Sequence, residues 1–172
     1  MMPVAELLEV AEAETWVDRE QPTAWEEIEA KLSDMQDDSQ WLATVRPDGR
    51  PHQRPIWAEW VTGALYFACG STTVKGKHLA RDTRCSISMH THGVDLIIEG
   101  NARLVTDETE LLWVRDAYAS KGWTPTVSDG AFHDTFGAPT AGPPPFHVYR
   151  IEPTLAYGFP VQDAISPTRW RF

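Results

Sequence analysis

From Trp41 onward the chain is a succession of short extended runs separated by tight turns, and this pattern restricts the fold more than any other feature. Two runs surround Pro47-Asp48-Gly49, a combination typical of hairpin turns. A turn at 61–63 leads to the apolar run ALYFACG, and SISMHTH, VDLIIEGNARLVT and FHVYRIEPTLAYGF are further extended segments. Short strands joined by tight turns pair antiparallel, so the sequence predicts a mainly β barrel or sandwich.

Interruptions within this pattern are also predictable. Gly100 indicates a bulge or bend in its strand. Because proline cannot donate a backbone hydrogen bond, Pro153 indicates that part of its strand lies at an edge or forms a bulge. One short helix is expected from Lys75 to about Asp82, and a longer one begins at Asp107, which stands at capping distance from Glu110, and ends at Gly122. Residues 123–145 show no clear period, so they predict a long loop that is functional or mobile.

The N-terminal zone differs from the rest of the chain because it is acidic and rich in helix-forming residues. We expect residues 1–37 to form one or two helices, AELLEVAEAE and TAWEEIEAKLSDM, packed on a domain that covers residues 38–172. Thr23 and Glu26 have the spacing of a capping box at the start of the second helix. One face of that helix is expected to carry Ala24, Ile28 and Leu32.

Composition excludes several classes of function. The 172 residues include 15 Lys and Arg against 25 Asp and Glu, a net charge of −10 that argues against nucleic-acid binding. Cys69 and Cys85 cannot build a disulfide framework and are expected to be buried in strands. The N-terminus lacks the basic start of a signal peptide, and no apolar run approaches the ~20 residues that span a bilayer. These features predict a soluble cytoplasmic protein.

The segment from Gly70 to His78 is the strongest candidate for a binding site. It follows a buried-looking strand and enters a short helix, so its hydroxyl groups, lysines and first helical amides offer hydrogen-bond donors to an anion. In the alternative interpretation, Ser71 or Thr72 only caps the helix while Lys75 and Lys77 face water. Both interpretations are open at this stage.

Other polar and aromatic residues support weaker hypotheses. Arg50, His52 and Arg54 alternate and should share one face of a strand, either beside the anion site or paired with acids of a neighbouring strand. Most of the aromatic residues, including the Trp residues, are expected in the core or at an interface, although a few could form walls against a flat ring. His90 and His92 would share a strand face, but no third ligand has convincing spacing, so no metal site is predicted.

The order of these motifs resembles the pyridoxamine 5′-phosphate oxidase-like split β-barrel family. The resemblance is carried by WLATV, an Asp-Gly turn, Arg-Pro-Ile-Trp, Leu-Tyr-Phe and Ser-Thr-Thr-Val-Lys-Gly-Lys-His-Leu. DTRCSISMH, IIEGNARLVTDETE and the final Thr-Arg-Trp-Arg-Phe are similar to the same family, more narrowly to its flavin/deazaflavin-dependent oxidoreductase branch. The resemblance covers residues 38–172 and implies an antiparallel split β-barrel.

The resemblance further implies a homodimer with two cofactors at the subunit interface, either coenzyme F420 or FMN, with F420 preferred. It implies five phosphate ligands: Arg54, Ser71, Thr72, Lys75 and Lys77. It places a strand segment along the cofactor ring: Pro55, Ile56 and Trp57. Near the C-terminus, Trp170 and Arg171 are expected to reach the ring in the partner's site.

The implied activity is hydride transfer to or from a small conjugated or unsaturated substrate, which requires positioning by the protein rather than a nucleophile. No catalytic residue is assigned, and the proton could come from solvent or from His133. One alternative is a non-catalytic carrier or sensor of flavin, F420 or haem. Another is an FMN-dependent pyridoxamine-phosphate-oxidase-like enzyme, which is disfavoured because the longer C-terminal substrate-binding element of that oxidase is missing.

Overall fold

The computed structural model describes residues 2–8, 21–35, 40–137, 140–161 and 165–172. It contains three helices within these residues, α1 (Trp25–Ser33), α2 (Val74–Arg81) and α3 (Glu108–Ser120), none of which is long and apolar enough to cross a membrane. The strands are β1 (Val4–Leu7), β2 (Gln40–Val45), β3 (Pro51–Ile56), β4 (Ala58–Val61), β5 (Ala64–Gly70), β6 (Arg84–Thr91), β7 (Val94–Val105), β8 (Thr126–Ser128), β9 (Ala131–His133), β10 (Phe146–Pro160) and β11 (Thr168–Arg171).

All strand pairs are antiparallel, and the fold is the predicted split β-barrel. Seven strands follow one another by pairing in the order β3, β2, β6, β7, β10, β5 and β4. The two ends of this path, β3 and β4, are joined in sequence by Trp57 alone. The long β10 pairs with β5 through its first half and with β11 through its second, while β7 follows nearly all of it.

Strand β5 is buried on both faces, which explains its continuous apolar sequence. Leu65, Phe67 and Cys69 belong to the barrel interior, where Cys85 is also buried. The opposite face of β5, including Tyr66 and Ala68, contributes to a second apolar cluster. That second cluster also contains residues of α3, β9 and β10: Leu111, Val114, Tyr118, Phe132 and Phe146.

The bulge predicted near Gly100 and Pro153 is present in β10. The pairing of β10 with β7 shifts by one residue between Pro153 and Leu155, opposite Gly100. A Cβ atom at Gly100 would lie 2.1 Å from the carbonyl oxygen of Glu152, so only glycine permits this close approach.

Two sequence predictions for the N-terminal zone are wrong. The first predicted helix is wrong for residues 4–7, because β1 pairs with β11 and adds a strand to the sheet; residues 9–20 lie outside the described residues. Helix α1 is confirmed, but the capping box is wrong, since its N-cap is Ala24 and makes no side-chain cap. Thr23 is buried and instead accepts a hydrogen bond from the Ser166 amide, which ties the start of α1 to the C-terminal segment.

Helices α2 and α3 confirm the predicted positions to within one or two residues. Asp107 caps α3 and accepts a hydrogen bond from the Glu110 amide, as its spacing predicts. The stretch 123–145 is not a continuous loop, because the hairpin of β8 and β9 occupies part of it and pairs with β10 through Phe132 and Phe146. After β9, Thr140 and Ala141 form hydrogen bonds with Lys75 of α2 and with Gly70 at the end of β5.

Candidate functional site

Strand β3 presents a polar groove at its first half. His52 and Arg54 lie on the same face of β3, but Arg50 precedes the strand and folds back onto Asp48, with 2.7 Å between Nη2 and Oδ2. The prediction that all three residues share one strand face is therefore wrong for Arg50. The groove has a volume of about 440 Å³. It is lined by Arg46, Pro47, Asp48, His52, Arg54, Val74 and His78.

Helix α2 begins beside this groove and separates the two candidate lysines. Its N-cap is Thr73, whose Oγ1 accepts from the Gly76 amide at 3.1 Å, so neither Ser71 nor Thr72 is the cap. Both of those residues are exposed. Residues two positions apart on a helix point about 200° away from each other. Accordingly Lys75 is buried, while Lys77 is exposed to solvent, and the two ammonium groups do not converge.

Lys75 is only 4% exposed, and its Nζ donates to the carbonyl oxygen of Thr140. The next carbonyl along, that of Ala141, accepts from the Gly70 amide at 2.7 Å. Gly142 packs closely against the Thr73 methyl group, so it also contacts the turn that leads into α2. The segment 140–142 therefore covers one side of the turn that leads into α2, and it supplies only neutral oxygen atoms to Lys75.

Arg54 and Lys75 form what we term the cationic corner. Arg54 is exposed and donates to the carbonyl of its neighbour Gln53 at 2.8 Å. Burial is the main cause that lowers the pKa of Lys75, and the positive charge of Arg54 lowers it further. Neither cation forms an ion pair with a carboxylate in the part of the chain that the structure describes. Like charges held together without a counter-charge favour an added anion.

A pair of buried histidines lies beneath the polar groove. The His52 and His78 rings meet edge to face with centroids 5.1 Å apart. Nδ1 of His78 lies 3.0 Å from Oγ1 of Thr44, whereas Nδ1 of His52 is buried without a hydrogen-bond partner among the described residues. Burial is the main cause that lowers the pKa of both rings, and Arg54 adds to the effect on His52 while Arg81 adds to it on His78. These effects favour the neutral form of both rings.

The second half of β3 leads from the cationic corner to an aromatic cavity of about 330 Å³. Ile56, two residues after Arg54, lines it, and so does Trp57, which is 42% exposed. Pro55, which lies between Arg54 and Ile56, is exposed on the opposite face of β3. The aromatic cavity is lined by Ile56, Trp57, Ala68, Tyr118, Trp123, Asp134, Phe136, Gly137, Thr140, Ala141 and Phe146.

Hydrogen bonds fix the walls of the aromatic cavity. The hydroxyl group of Tyr118 donates to the carbonyl of Trp57 at 2.9 Å, and the Trp123 indole donates to Oδ2 of Asp134 at 2.7 Å. The Trp57 indole donates to the buried carboxylate of Glu59, which Lys121 neutralises at 2.8 Å. Ring centroids of Tyr118 lie 5.0 Å from Trp57 and 4.9 Å from Trp123. The walls are therefore held in place before any ligand enters.

The two C-terminal candidates have different surroundings. Trp170 has no exposed surface; its ring packs against Trp25, and its indole donates to the Thr23 carbonyl at 2.9 Å. This burial contradicts the expectation that Trp170 reaches a ring in a partner's site, because its surface is used within its own subunit. Arg171 is exposed, with Nε 3.4 Å from Glu6, so its predicted role stays a prediction.

The structure brings together only part of the predicted site and adds residues that were not assigned. Tyr118 and Trp123 stood out in the sequence only as aromatic residues, and Asp134 and Phe136 lay unassigned in the 123–145 stretch. The cavity lining within the described residues includes Asp134 rather than the suggested His133. His90 pairs with Asp95, His92 contacts the carbonyl of Asp34, and the described residues contain no cluster suited to a metal ion.

Sequence comparison agrees with the fold. The chain is first of all a split-barrel protein with antiparallel strands. Residues 24–158 match the model of the family described as pyridoxamine 5′-phosphate oxidase, and the chain belongs to that family. No protein of curated function matches the sequence.

Several solved structures share the fold at low sequence identity. A conserved hypothetical protein, Rv2991 from Mycobacterium tuberculosis, is 18% identical with a TM-score of 0.61, over 82% of this chain and 87% of that one. A pyridoxamine 5′-phosphate oxidase-related, FMN-binding protein from Nostoc punctiforme PCC 73102 is 18% identical with a TM-score of 0.52, over 85% and 86%. A protein described as an F420 reductase is 22% identical with a TM-score of 0.50, over 74% and 94%.

Proposed function

We propose that the protein is an oxidoreductase that binds a phosphate-bearing flavin-type cofactor, either coenzyme F420 or FMN. The observation that carries this proposal is that β3 connects the cationic corner to the aromatic cavity within two residues, Arg54 and Ile56. A strand rises about 3.3 Å per residue, so the anionic and apolar binding surfaces are adjacent. A ligand with a phosphoryl group at one end and a flat ring at the other matches this arrangement.

The donor set at the corner fits a phosphoryl group. The exposed Arg54 guanidinium, which donates to one backbone carbonyl, has further N–H groups for a bidentate contact. Among the described residues, the hydrogen-bond partner of the Lys75 ammonium is a neutral carbonyl oxygen. Each hydrogen bond between charged groups contributes about 1.5–3 kcal/mol. Ser71 and Thr72, both exposed at the entrance to α2, are proposed as further donors to the phosphoryl group, whereas the exposed Lys77 points elsewhere.

The ring is proposed to lie along Pro55, Ile56 and Trp57, at the mouth of the aromatic cavity. When bound, such a cofactor transfers a hydride between its ring and a substrate. Trp57 and Tyr118 then hold one side of the cavity mouth through the bond between the Tyr118 hydroxyl and the Trp57 carbonyl. The interior of the cavity, beyond Ile56, excludes water with its aromatic walls and receives the small substrate.

A homodimer with the cofactor near its interface is part of the proposal. The outer face of the sheet carries exposed or half-exposed side chains in one row, with Trp41 on β2, Ser88 on β6, Ile97 on β7 and Tyr157 on β10, so three of the four are apolar. Exposed apolar patches of this kind mark interaction surfaces. We propose that a second copy covers this face and that the exposed Arg171 approaches the partner's cofactor.

Titration of the purified protein with F420 and with FMN tests the proposal, followed by turnover assays with the reduced cofactor. Binding of either one together with reduction of a conjugated substrate supports the oxidoreductase. F420 is preferred because the overall pattern is similar to the shorter deazaflavin-binding relatives. Tight binding without turnover would favour the second candidate, a carrier or sensor protein, and absence of binding to both would refute the proposal.

A further inference from the structure

The aromatic cavity contains one charged side chain among those that line it in the described structure. Asp134 stands at the cavity wall beside Trp123, while the other lining residues are aromatic, aliphatic, glycine or threonine. Asp134 is half-exposed, so its carboxylate is accessible to a ligand that enters the cavity. The cavity is therefore electrostatically asymmetric.

The carboxylate of Asp134 is held in place and remains ionised. Its Oδ2 accepts from the Trp123 indole at 2.7 Å, and its Oδ1 accepts from the Thr135 amide at 2.6 Å. These hydrogen bonds, first of all the one from Trp123, hold the pKa of Asp134 below its ordinary value. No lysine or arginine forms an ion pair with it within the described residues, so its negative charge is available to a ligand.

The neighbouring rings reinforce this preference for positive charge. Trp57, Tyr118 and Trp123 lie within 6.2 Å of one another by ring centroid, and Phe136 at the rim is 78% exposed. The faces of Trp and Tyr rings attract cations within about 6 Å. Tyr118 is itself only 1% exposed, so Trp57 and Trp123 are the rings of the three that can present surface to a ligand. An ionised carboxylate next to these two rings is a suitable environment for a protonated or quaternary amine.

We propose that the aromatic cavity selects a small substrate with a cationic nitrogen, which Asp134 and the surrounding aromatic rings bind. This inference rests on the proposed function only in taking the cavity as the substrate side of the site. The net charge of −10 supports it, since an acidic protein attracts cations and repels anions over longer range. The reacting carbon would lie towards Ile56 and Trp57, where the ring of the cofactor is proposed to stand.

A pair of matched probes tests the proposal in binding measurements at pH 7. Benzylamine carries a positive charge, whereas benzyl alcohol has nearly the same shape and is neutral. Isothermal titration of the full-length protein is expected to show benzylamine binding about tenfold more tightly than benzyl alcohol. Equal affinities for the two probes, or binding of neither, would overturn the inference.

The variant Asp134→Asn separates charge recognition from a purely structural role. Asparagine keeps the shape and can still accept the Trp123 hydrogen bond, so the cavity should persist while the preference for benzylamine disappears. The control Asp129→Asn changes an exposed carboxylate in the turn between β8 and β9, outside the cavity lining, and should retain the full preference. A preference that survives in Asp134→Asn would contradict the proposal.

Cofactor titration on the same samples distinguishes this inference from the proposed function. If F420 or FMN binds but benzylamine is not preferred, the cation-selective cavity is refuted and the oxidoreductase proposal stands. If benzylamine is preferred but neither cofactor binds, the cavity recognises amines and the cofactor proposal is refuted.

Discussion

The cationic corner and the aromatic cavity are neighbours, but they are built in different ways. The corner comes from β3 and the start of α2, which lie within one continuous stretch of about 25 residues. The cavity combines β3, β5, α3, residues 134–137 and 140–141, and the first residue of β10. The anion-binding half of the site is therefore built from residues close together in the sequence, whereas the apolar half exists only after distant segments have packed together.

Replacing Trp123 should have the largest effect on stability, because the cavity is part of a packed cluster. The Trp123 ring contacts Tyr118, Phe132 and Phe146 with centroids 4.9–5.8 Å apart. Trp123→Ala is expected to lower the free energy of unfolding by about 3 kcal/mol. Arg54→Ala, at the exposed corner, should change it by no more than about 0.5 kcal/mol. Urea denaturation measures both, and equal losses would mean that the two regions are not built differently.

Cofactor affinity, in contrast to stability, is expected to depend strongly on Arg54 of the cationic corner. Arg54→Gln removes one charged contact worth about 1.5–3 kcal/mol, which raises the dissociation constant by roughly ten- to 150-fold. Lys77→Gln provides the matched control, since Lys77 lies on the solvent side of α2 and its loss should change affinity less than about twofold. If both variants bind equally weakly in fluorescence titrations, the helical separation of Lys75 and Lys77 has no functional meaning.

Loss of the N-cap of α2 should reduce the stability of the protein by a smaller amount. Thr73→Ala removes the side-chain acceptor for the Gly76 amide and is expected to destabilise the protein by about 1 kcal/mol. Ser71→Ala, which changes an exposed hydroxyl group in the same turn, should leave the denaturation midpoint unchanged. A larger loss for Ser71 than for Thr73 would show that the cap is wrongly assigned.

The smallest expected effect is a pH dependence from the two histidines beneath the polar groove. Their pKa values are lowered in the folded protein, so between an ordinary pKa of about 6.5 and the lower folded value the unfolded chain binds more protons. Stability should therefore decrease as pH falls below about 6.5. His52→Gln should weaken this dependence, because it removes one of the two buried rings. Identical pH profiles for wild type and His52→Gln would refute this origin.

Local patterns in the sequence predicted most of the barrel correctly. Turn chemistry and alternation located the strands from β2 to β7, and α2 and α3 followed from caps and periodicity. The error at residues 4–7 has a physical cause: the run AELL favours a helix locally, but pairing with β11, more than 160 residues away in the chain, decides its conformation.

The candidate site was predictable to the same extent and for the same reason. Arg54 and Lys75 could be selected because one strand and one helix start fix their positions, whereas Ile56 and Trp57 were implied by the family resemblance. Asp134 and Phe136 could not, since nothing local indicates that the stretch after β9 folds back towards Trp123. Trp170 was assigned to a ligand although its ring packs against Trp25, a contact that no local pattern reveals.

The central claim is that one site binds a phosphoryl group at the cationic corner and a ring at the aromatic cavity. The most direct test compares the dissociation constants of FMN and of its phosphate-free counterpart riboflavin, and of F420 and its phosphate-free deazaflavin, for the wild type and for Arg54→Gln. We predict that the phosphorylated member of at least one pair binds wild type at least tenfold more tightly and that Arg54→Gln removes most of this advantage. An equal advantage in both proteins, or none in the wild type, would contradict the account.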